Sequence, residues 1–273
     1  MALDASLPIG VFDSGLGGLT VVSEIIRKLP AESILYLGDT ARVPYGTRSP
    51  QTVIRYAQSC AKALISRGIK VLVVACNTVS AVALDVLRAD LDIPVMGVIL
   101  PGAKAAVSAS KSLRIGVLGT AGTVNSGAYP RAVHSLSTRA EVIARAAPLL
   151  VPLVEEGWTS GEVPSLAVAR YLQPLADADV DVIVLGCTHY PALKRVVVEV
   201  AHRLFSKPVS VIDSAEVTAM QLGDFLRERE MQSPRLPSRG SIEILVTDRA
   251  TSFADLASRL LRAPLPDVQL IDL

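Results

Sequence analysis

Two cysteines occupy positions where a thiol could transfer a proton. Cys76 and Cys187 each follow a run of aliphatic residues, in VLVVACNTVS and VIVLGCTHYP, and each precedes a predicted helix. A thiol at the amino terminus of a helix lies at the positive end of the helix dipole, which lowers its pKa and makes it reactive. The alternative is a structural role, because free cysteine is often buried and packs as a small apolar side chain. We assign that role to Cys60, which lies in the middle of a predicted helix.

A pair of reactive thiols is consistent with two kinds of function. The first is metal binding by Cys76, Cys187 and His189, but neither cysteine has a partner at the usual zinc spacing. The second is two-base proton transfer, in which one thiolate removes a proton from a carbon and the other thiol returns one to the opposite face. The pattern favours proton transfer, without a metal ion.

Two further residues are predicted to assist the thiols. Asp13, in FDSG, follows the first predicted strand, and we expect it near Cys76, where it would take part in protonation of the thiol. Its alternative role is to cap the helix that starts near Gly17. His189 is the only histidine predicted in a loop after a strand, and it can serve as an acid/base partner of Cys187.

Glu155 and Glu156, in VPLVEEG, are ambiguous from the sequence. Adjacent acidic residues in a loop are more often solvated than catalytic. His134 and His202 lie in helix-like stretches and are predicted to be surface or core residues.

Polar, glycine-rich turns follow several strands and are suited to a small anion. DSGLGG, PYG, CNT and CTH supply backbone N–H groups, hydroxyls and an amide at helix starts, which can hold carboxylates. Gly15, Gly17 and Gly18 do not complete a dinucleotide fingerprint, and no phosphate-loop lysine is present. The sequence therefore predicts a small carboxylate ligand and no nucleotide cofactor.

The elements that must position these residues are predicted to be parallel strands. Short runs rich in Val, Ile and Leu recur at 8–12, 33–37, 70–75, 94–99, 114–118, 180–186, 209–212 and 241–246. Longer stretches with helical periodicity lie between most of them, which indicates an α/β fold with a buried parallel sheet. In such sheets ligands bind beyond the carboxyl ends of the strands.

A weak internal repeat predicts two similar α/β halves. IGV at 9–11 returns at 115–117, VP at 43–44 returns at 151–152, and the run ending in Cys76 returns in the run ending in Cys187, at offsets of 106, 108 and 111 residues. Pro101-Gly102 and Lys207-Pro208 mark the predicted domain boundaries, which are called seams below. We expect a first, discontinuous domain of residues 1–99 and 209–273, and a second domain of residues 100–208.

The final segment is expected to return to the first domain. It contains a predicted helix over 214–230, a strand at 241–246 and a proline-rich loop at 233–240.

Composition excludes several function classes. The chain has 273 residues, of which half are apolar, and a formal net charge of +1, so we expect no direct binding to nucleic acid or to a membrane surface. The amino terminus lacks the pattern of a signal peptide, and three scattered cysteines do not form a disulfide framework. These features predict a cytoplasmic protein.

Taken together, the motifs resemble the glutamate racemase family. FDSGLGGLTV, GDTARVPYG, ACNTVSA, LVPLVEEG, LGCTHYP and VIDSAE look like that family's segments in order and spacing, over about residues 8 to 225. The resemblance implies two α/β domains with pseudo-two-fold symmetry and an active site between them. It also implies interconversion of L- and D-glutamate for peptidoglycan synthesis, without pyridoxal phosphate or metal.

The resemblance further implies residue roles. Cys76 would act on the α-proton of D-glutamate and Cys187 on that of L-glutamate, assisted by Asp13, His189 and Glu155. The substrate-binding residues would be Asp13-Ser14, Tyr45-Gly46, Asn77-Thr78 and Thr188-His189. Family members are commonly homodimers, so a homodimer is expected.

Two alternatives stay open at the level of sequence. One is an aspartate racemase or a related α-proton enzyme. His189 favours glutamate, since aspartate racemases usually carry an acid at this point. The other is a metal-binding or non-catalytic protein on the same scaffold.

Overall fold

The computed structural model describes residues 4–234, 238–249 and 253–273, and these residues form two parallel β-sheets surrounded by helices. The strands are β1 (Ile9–Asp13), β2 (Ile34–Gly38), β3 (Val71–Val74), β4 (Val95–Gly97), β5 (Arg114–Gly119), β6 (Glu141–Ala146), β7 (Val182–Gly186), β8 (Ser210–Asp213), β9 (Ile242–Val246) and β10 (Val268–Leu270). Every strand pair is parallel, so the predicted α/β fold class with two parallel sheets is confirmed.

Helices connect successive strands. They are α1 (Leu19–Lys28), α2 (Pro50–Ile65), α3 (Asn77–Val82), α4 (Leu84–Asp90), α5 (Ile99–Ala109), α6 (Ala121–Asn125), α7 (Ala128–Leu136), α8 (Leu150–Glu155), α9 (Glu162–Asp177), α10 (Lys194–Leu204), α11 (Ser214–Glu228) and α12 (Phe253–Leu261). Two short 3₁₀ helices add Tyr45–Thr47 and Tyr190–Leu193. None of the helices described is long and apolar enough to cross a membrane.

The two sheets repeat one strand order. The first runs β10-β9-β2-β1-β3-β4 and the second β6-β5-β7-β8, so β2-β1-β3-β4 corresponds to β6-β5-β7-β8. The register repeats as well, because Ile9 lies opposite Val71 in the first sheet and Ile115 lies opposite Val182 in the second. The weak sequence echo therefore reflects two copies of one supersecondary arrangement, and β9 and β10 extend only the first.

Side chains alternate between the two faces of each strand, and the faces belong to separate apolar cores. In β1, Ile9 and Val11 belong to an inner core, whereas Phe12 belongs to an outer core. The inner core continues into the second sheet through Ile183 and Leu185 of β7, and α11 contributes to it. Because side chains alternate across a strand, each sheet buries both faces, which explains the continuous apolar runs in the sequence.

The structure corrects the predicted seams. The strand at Ser210–Asp213 pairs with β7 of the second sheet, so the boundary predicted at 208–209 is wrong, and the return to the first sheet comes only with α11. Pro101-Gly102 lies inside α5, which packs against β7 and β8, and not in a linker. Proline is tolerated in the first turn of a helix because the N–H groups there have no intrahelical acceptor. We propose 98–213 as the extent of the second unit.

Two strands were not predicted, and one predicted loop lies only partly within the described residues. β6 and β10 are edge strands whose residues are mostly half-buried or exposed, so neither presents a continuous apolar run. The helix predicted over 214–230 agrees with α11. Of the loop predicted at 233–240, residues 235–237 lie outside the described residues.

A buried ion pair holds the segment after α11 against the first sheet. The Lys70 ammonium, with a fully buried side chain, lies 2.5 Å from Glu32 Oε2. It also donates hydrogen bonds of 2.8 Å to the carbonyls of Ala5 and Met231. The backbone N–H of Ser233 donates to Glu32 Oε1 at 2.7 Å. One charged pair thus connects the amino-terminal segment, the starts of β2 and β3, and the chain beyond α11.

Candidate active site

The two cysteines occupy equivalent places in the two units. Cys76 lies two residues beyond β3 and is the N-cap of α3, and Cys187 directly follows β7. Each is 5% exposed. The loop that carries Cys187 contacts the first unit, because the Thr188 hydroxyl donates to Asp13 Oδ1 at 3.4 Å. The structure therefore presents one buried thiol from each unit at the carboxyl ends of the two sheets.

Cys76 is held as a protonated thiol. Burial and the negative charge of Asp13 raise its pKa to about 12, against the lowering effect of its contacts with Ser14 and with the N–H of Val79. Its Sγ lies 3.4 Å from Ser14 Oγ. The lowered pKa predicted from a helix start is therefore wrong for Cys76. α3 has only six residues, and desolvation outweighs its dipole.

Asp13 joins the loops of both units. It is fully buried, and burial raises its pKa, opposed by the charge of His189 and by the nearby backbone N–H groups. Oδ2 accepts a hydrogen bond of 3.1 Å from the N–H of Gly15, and Oδ1 accepts one of 3.4 Å from the Thr188 hydroxyl. The N-cap of α1 is Gly18, without a side-chain cap, so Asp13 is not the N-cap residue.

Cys187 has a different partner from Cys76. Its Sγ lies 3.9 Å from His189 Nδ1, and His189 Nε2 lies 3.3 Å from Glu155 Oε1. Burial alone would lower the pKa of His189, but its contacts with Cys187 and Glu155 and the charge of Asp13 raise it to about 10. The imidazolium form of His189 is therefore favoured at neutral pH, and its positive charge can stabilise a thiolate on Cys187.

The structure distinguishes the two adjacent glutamates. Glu155 ends α8 and contacts His189 although its side chain is 48% exposed. Glu156, the C-cap of α8, is exposed and has no ion pair among the described residues. The nearby Arg259 side chain donates to the Glu155 carbonyl at 3.4 Å.

Asn77 and Thr78 face the second unit. Asn77 is 2% exposed, and its Oδ1 accepts a hydrogen bond of 2.8 Å from the Tyr129 hydroxyl of α7. Its Nδ2 is buried without a hydrogen-bond partner among the residues described. Because a buried donor rarely stays unpaired, the two N–H bonds of Nδ2 are available to a ligand.

Three hydroxyls cluster where the units meet. Thr78 Oγ1 lies 3.0 Å from Thr120 Oγ1 and 3.5 Å from Thr123 Oγ1, and the last two are 3.1 Å apart. Thr120 also caps α6. These groups can donate to or accept from a carboxylate.

Tyr45 and Gly46 approach the same region from the first unit. The Tyr45 hydroxyl donates to Asp39, and its ring is 1% exposed, so the ring packs into the core and is not free to contact a ligand. Asp39 also accepts from Arg42 Nε at 2.7 Å and from Thr247 Oγ1 at 2.9 Å. A Cβ added at Gly46 would lie 3.0 Å from Thr120 Cβ, so the Gly46 backbone packs tightly against Thr120 of the second unit.

Sequence reasoning missed several residues of this site. Thr120 and Thr123 lie in GTAGT, directly after β5, and their position after a strand was the available signal. Tyr129 had no such signal, because it lies within a helix and meets Asn77 only through packing between the units.

Other candidate residues are placed outside the site. Cys60 is fully buried in α2, as predicted. His134 and His202 are exposed. Within 4–234, 238–249 and 253–273, no cluster of three or more His, Cys, Asp or Glu side chains could hold a metal ion.

Comparisons with known proteins agree with this geometry. The family model described as Asp/Glu/hydantoin racemase matches residues 9–222. The chain is 49% identical over 265 residues to a glutamate racemase from Geobacter metallireducens, covering 97% of this chain and 96% of the relative.

Two solved structures have the same fold along almost the whole chain. Glutamate racemase isoform RacE1 from Bacillus anthracis is similar with a TM-score of 0.91 and 40% identity, covering 98% of both chains. Glutamate racemase from Francisella tularensis, solved in complex with D-glutamate, is similar with a TM-score of 0.90 and 33% identity, again covering 98% of both chains.

Proposed function

Because this chain belongs to the Asp/Glu/hydantoin racemase family, and to the glutamate racemases within it, we propose that it interconverts L- and D-glutamate through two cysteines. The chain is an isomerase of this family. The observation that carries the two-base mechanism is the placement of Cys76 and Cys187 at equivalent strand ends of two repeated units whose loops are joined by the hydrogen bond from Thr188 to Asp13.

From L-glutamate, the Cys187 thiolate removes the α-proton. The His189 imidazolium stabilises this thiolate, and Glu155 holds the far side of the ring. Cys76, kept protonated by its burial, then gives its proton to the opposite face of the α-carbon. The product is D-glutamate, Cys187 ends as the thiol and Cys76 as the thiolate. The reaction from D-glutamate follows the same steps in reverse.

The difficult step is formation of the carbanion, because an amino-acid α-proton is far less acidic than a thiol. Preorganised donors around the developing charge supply the largest stabilisation in such sites. The free Nδ2 of Asn77 and the hydroxyls of Thr78, Thr120 and Thr123 are the donors that support this role. Substrate binding by Ser14, Thr188 and the Tyr45-Gly46 backbone completes the proposal.

The wider biological role follows from the reaction. A glutamate racemase supplies D-glutamate, and we propose peptidoglycan synthesis as its use here. The expected homodimer and cytoplasmic location stay predictions.

Deuterium exchange tests the mechanism. In D₂O the wild-type protein is expected to exchange the α-proton of both glutamate enantiomers and to racemise them. Cys76→Ser and Cys187→Ser are expected to lower racemisation by about 10³-fold or more, since a serine hydroxyl is a far weaker acid than a thiol, while circular dichroism stays unchanged. Near wild-type turnover in either variant would eliminate the two-thiol mechanism.

The substrate itself is tested in the same assay. Aspartate is expected to exchange its α-proton far more slowly than glutamate. Faster exchange with aspartate would favour the aspartate racemase alternative.

A further inference from the structure

Thr20 connects helix α1 of the first unit to the loop after β7 of the second, which carries Cys187, Thr188 and His189. It occupies the first turn of α1 and is 5% exposed. Its hydroxyl lies 2.9 Å from the carbonyl oxygen of Thr188, which is 168 residues away in the chain. Thr188 is flanked by Cys187 and His189, so this contact is made at the centre of the loop that carries one thiol and its partner.

The Thr188 carbonyl needs a donor from outside its own loop. The residue three positions further on is Pro191, which has no N–H to close a turn. The N–H of Ala192 donates instead to the carbonyl of His189, at 3.1 Å. Among the described residues, the Thr20 hydroxyl donates the hydrogen bond that this buried carbonyl accepts.

The single hydroxyl proton of Thr20 is best placed toward Thr188. The same hydroxyl also lies 2.9 Å from the carbonyl of Gly17, but that carbonyl already accepts the backbone N–H of Thr20 at 3.0 Å. A hydroxyl has one proton to donate. Because a buried carbonyl without a donor is costly, the proton goes to Thr188.

Gly17 shows how closely the two loops fit. A Cβ at this position would come within 2.3 Å of Thr188 Oγ1 and 2.6 Å of His189 Nδ1. The start of α1 therefore packs directly against both Thr188 and the ring of His189.

We propose that Thr20 is a positioning residue for the reaction, which fixes the Thr188 carbonyl and thereby keeps His189 against Cys187. The inference rests on the proposed racemase function. It assigns Thr20 no contact with substrate. Loss of its hydroxyl is expected to impair proton transfer at Cys187 more than at Cys76, because Cys76 lies in the other unit with Ser14 as its partner.

Three variants test this role. Thr20→Val removes the hydroxyl at nearly constant shape, and Thr20→Ser keeps it. Thr218→Val is the matched control, since Thr218 is likewise a buried threonine of a helix, and its hydroxyl donates to the Ser214 carbonyl of that same helix, at 2.6 Å. Thermal unfolding of each variant is measured alongside activity.

Thr20→Val is expected to lower kcat/KM by about 10- to 100-fold, as for misplacement of a catalytic group by a fraction of an ångström. Thr20→Ser and Thr218→Val should stay within about twofold of wild type. The specific readout is the deuterium isotope effect. In Thr20→Val it should rise with α-deuterated L-glutamate, whose bond breaks at Cys187, and fall with α-deuterated D-glutamate, whose bond breaks at Cys76.

Three results would overturn the inference: wild-type kinetics in Thr20→Val, equal impairment in Thr20→Ser, or isotope effects that change alike for both enantiomers. The wild-type protein separates this failure from that of the proposed function. If wild type does not racemise glutamate, the proposed function fails and the inference with it. If wild type is active and Thr20→Val is unchanged, only the role of Thr20 fails.

Discussion

Removal of the Tyr129 hydroxyl tests whether Asn77 binds substrate through its amide nitrogen. The hydroxyl donates to Asn77 Oδ1 at 2.8 Å, and both side chains are buried. This bond fixes the amide so that Nδ2, which has no partner among the residues described, stays available. In Tyr129→Phe, Oδ1 becomes a buried acceptor without a donor, and the amide loses its fixed orientation.

The size of the effect follows from the cost of an unpaired buried group. Such a group costs about 1–3 kcal/mol, and each 1.4 kcal/mol corresponds to about a tenfold change in an equilibrium constant. Expressed in substrate binding, this cost raises KM about 5- to 140-fold. We expect kcat to fall as well, because a donor to the charge that develops on the substrate acts more strongly in the transition state than in the bound substrate.

Polarimetry of both glutamate enantiomers over a range of concentrations measures the two constants separately. Tyr171→Phe is the control, since the Tyr171 hydroxyl belongs to the same unit but accepts its hydrogen bond from the N–H of Leu149, at 3.4 Å, and not from Asn77. Its KM should equal that of wild type. A Tyr129→Phe protein with unchanged KM and kcat would refute the reasoning.

Three further predictions concern stability and protonation. Lys70→Met leaves the buried Glu32 carboxylate without its cation, so the free energy of unfolding should fall by about 3–5 kcal/mol and Tm, measured by calorimetry, by roughly 5–15 °C. The double variant with Glu32→Gln should recover most of the loss. An unchanged Tm in Lys70→Met would contradict this. The His189 imidazole should titrate near pH 10 in NMR spectra. Glu155→Gln should lower that midpoint, since the Glu155 contact raises the pKa of His189. An unchanged midpoint would show that Glu155 does not affect the protonation of His189. The pKa of His189 in the folded state lies above its ordinary value of 6.5, so its contribution to stability is complete below about pH 6.5 and is lost as the pH rises through 10. The free energy of unfolding measured in urea should therefore fall more steeply over this pH range for wild type than for His189→Asn.

Strand-end residues could be predicted from sequence because parallel sheets place them together. Asp13, Cys76 and Cys187 follow continuous apolar runs, and the rule that ligands bind at the carboxyl ends of such strands identifies their loops. The repeat in the sequence likewise predicted two units, and the shared strand order bears this out.

Residues whose role depends on packing between helices could not be predicted. Tyr129 lies 52 residues from Asn77, and Thr20 lies 168 residues from Thr188, so no local pattern links them. The choice between Glu155 and Glu156 depends on how α8 is rotated against His189. The pKa of Cys76 depends on the depth of its burial, which a helix start in the sequence does not reveal.

The membership of β8 was missed for a related reason. Its residues form an apolar run like those of the other strands, and nothing in SVID indicates which of two sheets it joins. Only the pairing of Val211 and Ile212 with β7 decides this.

The two thiols lie on a repeated scaffold but have different neighbours, Ser14 and Asp13 on one side and His189 and Glu155 on the other. The two enantiomers of glutamate are mirror images with equal free energies in water, so the equilibrium constant between them is one. Whatever barrier a substitution raises beside either thiol, kcat/KM must therefore change by the same factor in both directions. Unequal surroundings can make kcat and KM differ between the enantiomers, but they cannot make the protein a one-way catalyst.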